Sequence, residues 1–215
     1  MKNKKAFTLV ELLITLTIVG IIATLTIPPL KTSMSRSSYA DAAKKAFVTL
    51  SDVVEMRKAF GDPYQKWTFT DEKTDEIYEK LKPHLNIVKE CKEEAGCWTP
   101  VVQGLNGGTA TNFSANGYGS PARSFKLADG MNVAFDVHSE SFNVTREKAD
   151  SILFAVDVNG DRKPNKLGED IFIFVLGDNG LLPAGNDAVG NGDCTRDQEG
   201  RDCAARILRD GRMEY

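Results

Sequence analysis

Polar and apolar positions divide the chain into an unbroken apolar run, an amphipathic stretch and a region of short alternating segments. From Phe7 to Leu30 the run carries a single charge, Glu11. It is long enough for a helix that crosses a hydrocarbon core, for which about 20 apolar residues suffice. Beyond it, Tyr39, Ala43, Ala46, Phe47, Leu50, Val53, Val54 and Arg57 recur at three- and four-residue spacing, the stripe of an amphipathic helix. Asp41, Lys44, Lys45, Ser51 and Asp52 take the other face, and Gly61-Asp62-Pro63 is a stop signal. A helix from Phe7 to Phe60 would be roughly 80 Å long at about 1.5 Å per residue. It is expected to kink or melt locally at Pro28-Pro29, where amide donors are missing.

The second half changes period. Arg123 to Ala128 and Met131 to Val137 flank Asp129-Gly130, a two-residue turn signal for a hairpin. Ser151 to Asp157 and Asp170 to Leu176 are short runs of strand formers between polar turns, with Asp178-Asn179-Gly180 after the second. Asp71 to Leu81 reads as a short helix, and Gly104 to Gly119, rich in Gly, Asn, Ser and Thr, as a surface loop. The pattern predicts an α+β fold in which a long amino-terminal helix covers one face of a small antiparallel sheet. The expected divisions are 1–6, the apolar helix 7–30, the amphipathic helix 31–60 and one domain over 61–215, whose length suits a single core.

Charge adds topology. Lys2, Lys4 and Lys5 precede the apolar run, so the short amino end is expected in the cytoplasm and the remainder outside. A secretory signal would have a charge-free core of 7 to 15 residues and a small-residue cleavage site, which Glu11 and Pro28-Pro29 do not match. A carboxylate well inside a bilayer costs roughly 2.5 to 3.5 kcal/mol and is normally kept for a partner. The alternative is that Glu11 lies close enough to the helix end to reach the headgroups.

The string Ala6-Phe7-Thr8-Leu9-Val10-Glu11-Leu12-Leu13 resembles the cleavage and methylation segment of type IV pilins and of the pseudopilins of type II secretion systems. The resemblance implies a cut by prepilin peptidase between Ala6 and Phe7, N-methylation of Phe7, and a role for Glu11 in assembly. Ala6 departs from the family, which usually has Gly there. The implied fold is the pilin αβ roll. The implied partners are copies of the chain, other pilin-like subunits, the peptidase and an inner-membrane assembly platform. A neighbouring subunit's Phe7 amine would supply the cation that makes a buried Glu11 tolerable and sets axial register. Localisation would be single-pass in the bacterial cytoplasmic membrane, then in an extracytoplasmic filament.

Cys91, Cys97, Cys194 and Cys203 all follow the apolar run, on the side expected to be oxidising. An even count there favours disulfides, for which four cysteines allow three connectivities. Two local bridges, Cys91 to Cys97 and Cys194 to Cys203, are expected because each closes a charged, Gly-containing loop with little apolar content to order it. The second also resembles the carboxyl-end disulfide loop of many pilins. Zinc is the rival, though the spacings lack CxxC and neither His84 nor His138 sits beside a pair.

Asp157, Asn159 and Asp161, followed by Asn165 and Asp170, place oxygen side chains at alternate positions between two strands. Hard cations such as calcium take six to eight oxygens, and an EF-hand loop opens with this spacing. The closing Glu is absent, since Gly168 holds its place, so Asp170 or Glu169 would have to serve. By resemblance, several pseudopilins hold calcium in a carboxyl-end loop. The competing interpretation is a polar turn whose Asp and Asn cap their own backbone.

Removing the three leader lysines takes the formal charge from −3 to −6, which is no footprint for nucleic acid. The two histidines lie far apart in sequence, and Gly104-Leu105-Asn106-Gly107-Gly108 is followed by no helix signal, so no phosphate cradle or catalytic constellation emerges. The function expected is a filament-forming structural subunit, not an enzyme. The alternative is a membrane-tethered, calcium-dependent binding domain for glycan or DNA that never polymerises.

Overall fold

A computed structural model describes residues 8–119, 122–138, 151–177, 180–186 and 192–215, without side-chain placement for 25–35, Asp71 and His138. Helix α1, Leu9–Ala59, is a single helical span. It passes through Pro28-Pro29 without an interruption in its helical assignment, so the local melting expected there is absent. A proline deletes its own amide donor, while the turns on either side retain theirs. The helix stops where the sequence marks it: Gly61 takes a left-handed φ of 83°, the conformation that glycine adopts without steric cost just past a helix end. Asp62 then gathers Arg57, Lys80 at 3.0 Å and the Trp67 indole at 3.0 Å. That cluster ties the end of α1 to α2, Thr74–Leu81.

The sheet is antiparallel, in the order β1-β4-β5-β6-β7-β8. Its strands are β1 Ile87–Lys92, β4 Arg123–Leu127, β5 Asn132–His138, β6 Ser151–Asp157, β7 Ile171–Gly177 and β8 Gly180–Pro183. A second, two-stranded sheet pairs β2, Phe113–Ser114, with β3, Gly117–Tyr118, and α3, Cys203–Asp210, follows. The β4–β5 connection differs from the two-residue turn expected, because Ala128 to Met131 all lie outside the strands and Leu127 N–H reaches Met131 O at 2.9 Å. Both expected disulfides, Cys91–Cys97 and Cys194–Cys203, are formed.

The stripe read along α1 faces the core: Ala43, Ala46, Leu50, Val53 and Val54 are buried, with Tyr39 and Phe47 packed at the edge. Phe47 meets Phe174 of β7 at a centroid distance of 5.7 Å. Contrary to the expectation of one covered face, both faces of the sheet are buried. Phe135, Phe154 and Phe174 lie in the core under the helices, while Ala134, Leu153, Ile173 and Val175 join Trp98, Val102 and Tyr118 in a second core. The Gly104 to Gly119 stretch is therefore more than a surface loop. It contains β2 and β3, and Tyr118 is fully buried. Its polar composition conceals one anchoring aromatic, while Arg201 holds Tyr118 Oη at 2.9 Å and Thr111 O at 2.6 Å.

Among the described residues no helix is long and apolar enough to cross a membrane. The expected span, Phe7 to Leu30, extends past the residues whose side chains are described.

Phe154 is 1% exposed and lies 5.7 Å from Phe135 between ring centroids. Phe154→Ala is expected to cost about 3 to 5 kcal/mol of stability. Val88→Ala, on the edge strand β1 at 67% exposure, should stay within about 0.5 kcal/mol. Urea denaturation of the full chain in detergent measures both.

Candidate functional site

The amino end of α1 is organised around Glu11. Thr8 is the N-cap, and its hydroxyl accepts from Glu11 N at 3.2 Å. In return Glu11 Oε2 accepts from Thr8 N and from Thr8 Oγ1, both at 2.8 Å. This reciprocal capping box satisfies amide donors that a helix start leaves open. Thus Glu11 has a partner within its own chain. Ala6 and Phe7, the expected cleavage and methylation positions, lie outside the described residues. From Leu9 to Ile22 the large apolar side chains stand exposed on α1, Leu9 at 75% and Val19 at 62%.

The second candidate is the loop between β6 and β7. Asp157 closes β6, and Asp170 precedes β7; the two are 1% and 0% exposed. Asp170 is held mainly by backbone: Lys166 N–H donates to Oδ1 at 2.6 Å, and Asn165 N–H to Oδ2 at 2.8 Å. Asn159 Nδ2 donates to the same Oδ2 at 2.8 Å, and its backbone N–H to Asp157 Oδ1 at 3.2 Å. Gly160 makes the tight return possible. It has a φ of 71°, and a Cβ there would lie 2.2 Å from Gly130 O in the β4–β5 turn, a closeness that excludes any side chain.

Among the described residues, three buried oxygens of this loop, Asp157 Oδ2, Asn159 Oδ1 and Asn165 Oδ1, have no hydrogen-bond partner. Burial, followed by the charge of Asp170, pushes the Asp157 carboxyl up to about 8. Burial likewise raises Asp170, and the Lys166 and Asn165 amides only partly offset it, leaving it at about 6. Among the described residues no cationic side chain pairs with either carboxylate. Asp161 departs from the predicted set: its carboxylate turns to Lys126 Nζ at 2.6 Å and Asn132 Nδ2 at 3.0 Å. A nearby lysine satisfies that anion better than a loop already crowded with carboxylates. The loop thus brings together Asp157, Asn159, Asn165 and Asp170 and leaves Asp161 out. It also brings in Tyr39, whose hydroxyl lies 3.2 Å from Asn159 Nδ2. In the sequence Tyr39 was only one more apolar position on a stripe. Among the described residues no group of three or more His, Cys, Asp or Glu could hold a metal; the oxygens here are two carboxylates and two carboxamides.

Residues 1–27 match the family model described as the prokaryotic N-terminal methylation motif. The chain carries the prepilin-type segment of type IV pilins and pseudopilins. No curated protein and no solved structure gives a significant match. The prepilin-type segment gives the Thr8–Glu11 box its context, because the box lies inside the matched residues 1–27.

The sign of a pH effect follows from the loop. Unfolded aspartates titrate near 3.9, whereas folded Asp170 and Asp157 hold their protons to about 6 and about 8. The folded state binds more protons across that window, so its stability falls as pH rises through it. With divalent cations chelated, the melting temperature of the full chain is expected to decline from pH 4 to pH 8. Asp157→Asn should flatten the decline; scanning calorimetry across that range checks it.

Proposed function

We propose that the chain is a structural subunit of an extracytoplasmic filament of the type IV pilus or type II secretion pseudopilus class. Prepilin peptidase cuts it before Phe7, the new amine is methylated, and the subunits assemble through α1. The observation that carries this reading is the match of residues 1–27 to the methylation motif. It is supported by the apolar side chains exposed along the first turns of α1, a patch that large on a chain alone in water being a surface made to be covered. The membrane covers it before assembly and neighbouring helices afterwards. Glu11 then acts twice: inside its chain it caps the helix through Thr8, and between chains it sets register against a neighbour's Phe7 amine. The helix-on-sheet order suits the pilin roll. The topology is a single pass through the cytoplasmic membrane, with the carboxyl-terminal domain outside. The role is structural and not catalytic.

Calcium is the proposed ion of the β6–β7 loop, held by Asp157, Asn159, Asn165 and Asp170. Two buried carboxylates and unpartnered carboxamide oxygens form the all-oxygen donor set that a hard cation takes. A bound dication neutralises charges that are otherwise costly to bury.

Intact mass and amino-terminal peptide analysis of protein from the native membrane, with and without the peptidase, tests the filament proposal. The expected product begins at methylated Phe7. A chain beginning at Met1 or Lys2 would instead favour a tethered binding domain. Glu11→Ala should leave the product cleaved but lower filament yield about tenfold or more, since losing one partner of a buried charge pair costs at least 2 kcal/mol.

Calcium added at a hundredfold excess over its Kd should stabilise the full chain by about 2.7 kcal/mol. An unchanged melting curve would remove the ion from the loop.

A further inference from the structure

Among the described residues, Asn159 is the one of the four proposed ligands with a hydrogen bond to α1. Its Nδ2 lies 2.8 Å from Asp170 Oδ2, 3.2 Å from Lys163 O and 3.2 Å from Tyr39 Oη. Its Oδ1 is buried and, among the described residues, has no partner. A carboxamide is planar, so bonds that fix the nitrogen end also fix the direction of the oxygen. The base of the Tyr39 contact is firm: its neighbour Ala40 and Ala43 one turn on are both 0% exposed. The loop is also braced from the other side. Gly160 sits against the Gly130 backbone, and the adjacent Asp129 pairs with Lys45 of α1 at 2.9 Å. The helix, the β4–β5 turn and the β6–β7 loop therefore meet at one corner of the fold.

We propose that Tyr39 is the positioning residue of the cation loop: its hydroxyl holds the Asn159 carboxamide so that Oδ1 is presented to the ion, and ion binding in turn tightens α1 on the sheet. The proposal rests on the calcium assignment above. Its content is a coupling between two places, the loop and the helix that enters the filament. Such coupling is reciprocal: whatever factor the helix contact adds to ion affinity, the ion adds to helix docking. A chain that leaves a calcium-poor compartment for a calcium-containing one would thus stiffen the half of α1 that carries the domain.

The test uses the full chain in detergent. Isothermal titration with calcium alone compares the wild type with Tyr39→Phe, which keeps the ring and removes the hydroxyl. Hydrogen exchange of the α1 amides near Tyr39 to Ala46 is followed with calcium and with chelator. The expected result is a calcium affinity about three- to tenfold weaker in Tyr39→Phe, the range of one hydrogen bond. The metal-free melting temperature should fall by only a few degrees, the effect of one hydrogen bond, and the variant should lose the calcium-dependent slowing of α1 exchange. In an Asn159→Ala background the same substitution should have no further effect on affinity, as two residues acting through one bond require. A purely structural Tyr39 would lower the metal-free melting temperature while leaving affinity alone, which overturns the proposal. If Tyr39→Phe does not fold, exchange in the wild type decides: α1 protection that does not respond to calcium overturns the coupling. A wild-type chain that binds no calcium overturns the ion assignment and this inference together. Binding with equal affinity in both proteins overturns the inference alone.

Discussion

The contact between the alanine stripe of α1 and the sheet is the one on which the rest of the fold depends. Ala40, Ala43 and Ala46 are nearly or fully buried, and their small side chains let the helix lie close enough for Phe47 to reach Phe174. Close packing of that kind gains dispersion energy and excludes water together. It anchors the carboxyl half of a helix whose amino half has no core of its own, since the large apolar residues up to Ile22 stand exposed. One continuous rod thus belongs to the domain at one end and is left for another partner at the other. A break at the prolines would have separated those roles.

Three charged groups elsewhere among the described residues have close partners. Arg123, 6% exposed, meets Asp75 and Glu93, each at 2.7 Å. Arg201 is held by Glu199 at 2.5 Å, Tyr118 at 2.9 Å and Thr111 at 2.6 Å. Burial opposes ionisation of Asp62, yet Arg57, Lys80 and Trp67 hold its carboxyl down to about 2. Against that background Asp157 and Asp170 stand apart. They are as deeply buried as any group in the sheet, they repel one another, and their nearest partners are amides. A pair so placed requires a proton or a cation; the ion proposed above would take that place beside the Asn159 and Asn165 oxygens, which have no partner among the described residues.

Several features were legible along the chain because they are local. The 3.6-residue stripe, the stop at Gly61, the short helix near Asp71 to Leu81 and the strands β4 to β7 are all set by periodicity and turn chemistry within a few residues. Both disulfides close short loops. The edge strands β1 and β8 were not legible: Ile87–Lys92 mixes charge with few strand formers, and Gly180–Pro183 is too short to show a period. Helix α3 was hidden behind a cysteine and three arginine or aspartate positions that give it little apolar signal. The second core was missed as well, because Trp98, Tyr118 and Leu167 come from segments whose composition is that of loops.

By itself the sequence determined the processing segment, the carboxylate at Glu11 and the class of fold, since each is written in spacing over a few turns of chain. It also supplied the oxygens of the β6–β7 loop, but not which of them converge. Asp161 leaves the set because Lys126 lies 35 residues away in sequence and within hydrogen-bond distance in space. Tyr39 enters it across 120 residues. The spacing of a motif fixes where side chains begin, whereas the direction of each is decided by whatever charge or hydroxyl the tertiary fold brings against it, and no local pattern records that.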